Sequence, residues 1–166
     1  MAIREVGRLR MKDGGQKSEF GRRRKNINDK NRIDMATLTQ EMKDMIATQQ
    51  CFIGTADVDG MPNVAPKRST RVLTDDSLIF TEGTGGTTYA NIKRGSKVAV
   101  AVVNREILNG YRFIGDPTLH DSGELYEQAV AMSTKMGLPK PLAVVVIHIS
   151  EIHSLKPGPM AGKKIS

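Results

Sequence analysis

The sequence contains no tryptophan and one cysteine, with four Phe and three Tyr among its 166 residues. A lone thiol, Cys51, cannot build an intramolecular disulfide framework, so a cytoplasmic setting is expected. No apolar run approaches the roughly 20 residues of a membrane span. The N-terminus has no apolar signal-peptide core either, so a protein that is neither exported nor membrane-bound is expected. Scarce aromatics weigh against a platform for single-stranded nucleic acid, which stacks bases on rings along a charged groove.

The net charge of +7 suggests a nucleic-acid partner only until it is divided by segment. Residues 1–34 hold eleven Lys/Arg against five Asp/Glu, which leaves fourteen against thirteen in the rest. The excess therefore belongs to a leader rich in Arg, Lys, Asn and Gly, with no sustained apolar periodicity. Such a segment is expected to be disordered. Its "GRRRK" run, Gly21 to Lys25, could serve as a nucleic-acid arm. The plainer reading is a flexible extension that is not native, with Met35 as the natural first residue.

From Met35 onward the patterning predicts strands alternating with two helices. In "TLTQEMKDMIATQ", Leu38, Met42, Met45 and Ile46 share one helical face, and Thr37 and Gln40 have capping-box spacing. "CFIGTADVDGMPNVAPKRSTRVL" reads as a hairpin, with a strand from Cys51 to Asp57, a turn at Asp59-Gly60 and a return strand from Pro62 to Val72. "SLIFTE" is a third strand, and the nearly continuous apolar run "KVAVAVVN" suits a strand buried on both faces. "GYRFIGDPTLH" holds Gly115 where a bend, a bulge or a close backbone approach is expected. "SGELYEQAVAMSTKMG" predicts a helix burying Leu125, Ala129, Met132 and Met136, capped through Asp121 and Glu124, and "PLAVVVIHISEIHSL" closes the set as a long strand. Early hairpin connections and few helices argue against a parallel βαβ sheet. They favour a mainly β, mostly antiparallel barrel with peripheral helices.

Several familiar sites are excluded by spacing. Counted from Gly83, Gly85 or Gly86, the second glycine of a phosphate-binding P-loop falls on Thr88, Ala90 or Asn91. The third glycine of a dinucleotide fingerprint falls on Thr88. There is no Gly-x-Ser-x-Gly elbow. His148 and His153, five apart on a strand, point to opposite faces and cannot share a metal, so no metal site is expected. Cys51 reads as a buried strand cysteine. No residue stands out as a catalytic acid or base.

Two features remain. In "PKRST", Lys67 and Arg68 stand beside the hydroxyls of Ser69 and Thr70; this is either a charged edge strand or half of an anion site. In "TEGTGGTTYANIKRG", three glycines precede Thr87 and Thr88 at a helix start. Those hydroxyls either cap the helix or face a phosphate.

The order of "CFIGTADVDGMPNVAP", "SLIFTEGTGGTTYANIKRGSKVAVAVV" and "GYRFIGDPTLH" with its following helix resembles the pyridoxamine 5'-phosphate oxidase-like FMN-binding split-barrel family. It does so across nearly all of residues 36–166. The resemblance implies a six-stranded antiparallel split β-barrel at 35–166 that forms a homodimer, with FMN in a groove at the subunit interface. It places Pro66, Lys67, Arg68 and Ser69 along the flavin and its ribityl phosphate, and Phe80 and Thr81 behind the ring. Thr87 and Thr88 would hold the phosphate, with Asn91 close by.

There are two departures from the family pattern. Thr87-Thr88 replaces the Arg or Lys that many members carry at the helix start, which shifts phosphate binding toward Lys67 and Arg68. The chain ends in "LKPGPMAGKKIS", without the arginine-rich segment of true pyridoxamine phosphate oxidases, so vitamin B6 oxidation is not expected. The terminal segment itself either covers the flavin edge, extends the dimer contact or frays. The implied function is a flavoprotein passing electrons or a hydride through flavin N5 to an unidentified small-molecule or protein partner. The rivals are a non-catalytic binder of haem or another flavin-like ligand on the same barrel, and a basic nucleic-acid-binding barrel.

Overall fold

The computed structural model describes residues 36–166; the basic leader read at 1–34 lies outside the described residues. In chain order the elements are α1 (Gln40–Thr48), β1 (Cys51–Ala56), β2 (Pro62–Pro66), β3 (Arg71–Thr74), β4 (Ser77–Glu82), α2 (Thr87–Lys93), β5 (Val98–Asn104), β6 (Asn109–His120), α3 (Glu124–Lys135) and β7 (Ala143–Ser154). The strands form one seven-stranded antiparallel sheet in the order β2-β1-β5-β6-β7-β4-β3.

The expected count of six strands is corrected to seven, because the return strand does not run unbroken from Pro62 to Val72. It breaks at Lys67–Thr70, where the Thr70 amide and hydroxyl both donate to the Lys67 carbonyl, at 3.2 and 2.8 Å. β2 and β3 are consecutive in sequence yet lie on opposite edges of the sheet. The four-residue crossing therefore carries the chain over the open seam of a split barrel. Prolines end β2 on its edge, where a missing N–H costs no ladder bond.

The interior is filled from alternate strand positions: Ile53, Val98, Val100, Val102, Leu78, Phe80, Phe113, Val145 and Ile147 meet Met42, Met45 and Ile46 of α1. α3 lies on the outside, where Tyr126 and Ala129 pack on Ile79, Val144 and Val146. This helix makes β4 and the start of β7 the strands buried on both faces. The expectation of two-sided burial for "KVAVAVVN" is corrected accordingly, since β5 alternates buried valines with half-exposed alanines.

α3 is also rotated from its predicted face. Tyr126, Ala129 and Ser133 are buried while Met132 and Met136 are exposed. The Tyr126 hydroxyl donates to the Pro141 carbonyl at 3.0 Å and fixes that rotation. α3 is capped by Gly123 with no side-chain bond, so the box read at Asp121 and Glu124 does not form. α1 is capped by Thr39, not Thr37, because Leu38 is held outside the helix by its amide bond to the Asp75 carbonyl.

Gly115 fulfils its expectation. It sits at the register shift of β6 against β7, and a Cβ there would lie 2.4 Å from the His148 carbonyl oxygen. The terminal segment is not frayed: Gly162 donates to Ser154 at 2.7 Å and Ile165 to Ile152 at 2.7 Å. It lies along the end of β7 that β4, whose pairing stops at His148, leaves uncovered.

Candidate functional site

Two segments singled out in the sequence meet in space, and Glu82 joins them. At the end of β4 its carboxylate is 1% exposed. One oxygen accepts from the Thr84 amide at 2.9 Å, the Thr84 hydroxyl at 3.1 Å and the Gly85 amide at 3.1 Å, which shapes the glycine loop. The other accepts from the Lys67 ammonium of the crossing. Burial alone would raise the Glu82 carboxyl, but the Lys67 ammonium and the loop N–H donors outweigh it and hold it below the usual carboxylate range. Gly85 has φ +68°, a conformation that side-chain-bearing residues rarely adopt, and it faces Leu142.

Ser69 fastens the same crossing to β4. Its hydroxyl accepts from the Thr81 amide at 3.0 Å and lies 3.3 Å from the Thr81 carbonyl. Phe80 faces the barrel interior with no exposed surface, and the Lys67 ammonium stands 5.5 Å from its ring centre. Lys67, Ser69, Phe80 and Thr81 are thus brought together.

Thr88 and Asn91 belong to a second, neighbouring group. The Asn63 amide of β2 donates to Thr88 at 3.0 Å and to Thr55 at 3.2 Å, and the Asn91 amide donates to Thr55 at 3.1 Å. Thr55, Thr88 and Asn91 are buried, so these bonds pin α2 onto the first hairpin. Neither Thr87 nor Thr88 caps the helix. Gly86 occupies that position without a side-chain bond, and Thr87 is exposed.

Pro66, Arg68 and Thr87 are the exposed members of the predicted set. Among the described residues Arg68 has no ion-pair partner. It lines an open, polar cleft of about 370 Å³ with Lys67, Thr70, Thr48, Gln49 and Gln50. The first-turn amides of α2, uncapped by any side chain, are further donors. The Arg68 guanidinium and the hydroxyl and amide groups around this cleft are donors of the kind that bind an anion.

The outer face of the β2-β1-β5 edge is apolar and open. Phe52 pairs with Pro66 and Ala101, and Val64 lies opposite Gly54. Phe52, Val64 and Val103 are 41%, 67% and 48% exposed. Cys51 points the other way into the core, where burial pushes its thiol up to about 11, so it is no nucleophile.

Sequence reasoning missed Glu82, Thr55 and Asn63. The last two were accessible: they are equidistant from Asp59 and pair in register. Glu82 carried a weaker signal, an acid closing an apolar strand directly before glycines.

The comparisons agree with the fold. The family model described as Pyridoxamine 5'-phosphate oxidase matches residues 38–156, and the chain belongs to that family. An uncharacterized protein of Methanocaldococcus jannaschii is 36% identical over 133 residues, covering 78% of this chain and 88% of its own. The crystal structure of HupZ from Group A Streptococcus is 41% identical with a TM-score of 0.68, covering 75% of this chain and 99% of its own. A candidate pyridoxamine 5'-phosphate oxidase from Lactobacillus delbrueckii is 32% identical with a TM-score of 0.64, covering 70% and 93%. No helix among the described residues is long and apolar enough to cross a membrane.

Proposed function

We propose that the chain is an FMN-binding flavoprotein, an oxidoreductase or electron carrier that works as a homodimer with the cofactor in a groove between subunits. The observation that carries this reading is the junction of the Lys67–Thr70 crossing with the Gly83–Gly86 loop through Glu82. It joins the two segments that carry the candidate phosphate donors, in a split barrel whose family resemblance implies FMN, and this supports the reading. Arg68, Thr87 and the first-turn amides of α2 hold the phosphate. Pro66 and Ser69 border the flavin along the crossing, with Thr81 behind them, and Phe80 supports Lys67 from beneath. Thr88 and Asn91 act indirectly, by fixing α2 on the barrel. The bound flavin supplies hydride or electron transfer through N5, and the protein supplies its orientation and electrostatic surroundings.

Support for the dimer comes from the open apolar face of Phe52, Val64 and Val103, which a second copy would cover. Reconstitution with FMN followed by desalting tests the reading. Retained yellow colour with quenched flavin fluorescence is expected. A colourless protein overturns it, and a haem spectrum acquired on incubation with haem instead would favour the binding-protein rival. A screen of nicotinamide donors against the yellow protein then separates an oxidoreductase from a passive carrier.

A further inference from the structure

Glu82 is an anion placed where the ligand's own charge is also negative. One Glu82 oxygen is shared by three donors, the Thr84 amide, the Thr84 hydroxyl and the Gly85 amide, and the other accepts from the Lys67 ammonium. The Lys67 ammonium is the single partner of its oxygen, so its departure would leave a buried charge unpaired. Lys67 is therefore not a free cation. Its side chain is 15% exposed, and its ammonium is compensated by a fixed neighbour. Any phosphate that draws on Lys67 must share it with a carboxylate of the same sign, which opposes binding.

We propose that Glu82 is a positioning and specificity-determining residue of this site. One carboxylate oxygen moulds the Gly83–Gly86 loop, while the other withholds the Lys67 ammonium, so that this carboxylate sets the preference for phosphorylated over unphosphorylated flavin. The proposal rests on the flavin reading above. It assigns the free cation's work to Arg68, which has no ion-pair partner among the described residues.

Glu82→Gln separates the two roles. The glutamine carbonyl still accepts from Thr84 and Gly85, while its NH₂ cannot accept from Lys67, so the loop keeps its anchor and the ammonium is released. Dissociation constants for FMN and riboflavin are measured by fluorescence quenching on the wild type, Glu82→Gln, Lys67→Met and the double variant. FMN affinity is expected to rise on the order of tenfold in Glu82→Gln, the scale of one charge-assisted bond. Riboflavin affinity is expected to stay the same, and Lys67→Met in the Glu82→Gln background should abolish the gain. In the ligand-free protein, amide hydrogen exchange at Thr84 and Gly85 should accelerate in Glu82→Ala and remain slow in Glu82→Gln.

Weaker FMN binding in Glu82→Gln, or an equal change for both flavins, overturns the specificity role. Unchanged exchange in Glu82→Ala overturns the positioning role. A wild type that binds neither flavin, with loop exchange still dependent on Glu82, overturns the flavin reading and the specificity role with it and upholds positioning alone.

Discussion

Asn91 of α2 donates its side-chain amide to the Thr55 hydroxyl of β1 at 3.1 Å, across 36 residues of sequence, and both side chains are buried. Thr55 also accepts from Asn63, which bonds Thr88. One small network therefore decides where the helix behind the glycine loop sits. Asn91→Ala removes one of two donors to a buried hydroxyl that keeps its bond from Asn63, a loss of about 0.5–1.5 kcal/mol. Urea unfolding of the variant should show that drop with an unchanged slope. An unaltered midpoint would mean that α2 is held by its apolar contacts alone.

The pH dependence of the Lys67–Glu82 junction has a definite sign. Glu82 is held below its ordinary value of 4.5 in the folded chain. The unfolded chain therefore binds the proton more readily, and the contribution to stability is present above that value. It disappears as pH falls from about 4.5 through the lower folded value. Unfolding free energies of the wild type and Glu82→Gln, measured at neutral pH and again near pH 3, should differ more at neutral pH. A gap that widens in acid would contradict the pairing.

The two cations of the crossing should separate by ligand. Lys67→Ala combined with Arg68→Ala is expected to weaken FMN by about 1.5–3 kcal/mol, the worth of hydrogen bonds to a charged group. Riboflavin, which lacks the phosphate, should change much less. Equal losses for both flavins would place these side chains at the ring instead of the phosphate.

Gly115→Ala tests a close backbone approach between β6 and β7. The added methyl would stand 2.4 Å from the His148 carbonyl oxygen and 2.7 Å from Ile147 Cγ2, so β6 and β7 must part. Overpacking of this kind costs about 1–3 kcal/mol. It should appear as a lower melting temperature together with faster amide exchange along β7. An unchanged melting temperature would show that the register shift beside Gly115 absorbs the methyl.

How legible these features were depended on the range of the interactions behind them. The first hairpin, the buried face of α1 and the tight spot at Gly115 follow from local periodicity and turn chemistry and stand in the structure, with the hairpin turn centred on Val58-Asp59, one residue before its expected place. The break at Lys67–Thr70 did not show, because the polar run from Lys67 to Arg71 reads equally as a charged edge strand; the break is imposed by closure of the barrel, which sends β3 to the far edge. Burial of β4 on both faces depends on α3 docking outside it, and no strand pattern records that. At the site, residue types favouring phosphate were visible in "PKRST" and around Thr87. The commitment of Lys67 to Glu82, and of Thr88 to Asn63, depends on contacts between segments 15 and 25 residues apart.

The open face of the β2-β1-β5 edge gives the last prediction. Phe52, Val64 and Val103 are 41%, 67% and 48% exposed and lie on the side away from the core. Charging such positions should therefore cost the single chain little, within about 0.5 kcal/mol for a surface site. Val64→Glu and Phe52→Arg are each expected to shift the sedimenting species from dimer to monomer while the far-ultraviolet circular dichroism is retained. If the flavin groove lies between subunits, FMN affinity must fall with the dimer and recover at protein concentrations that restore it. Tight FMN binding by a stable monomer would move the whole site onto one chain, and the apolar face would then need a different partner.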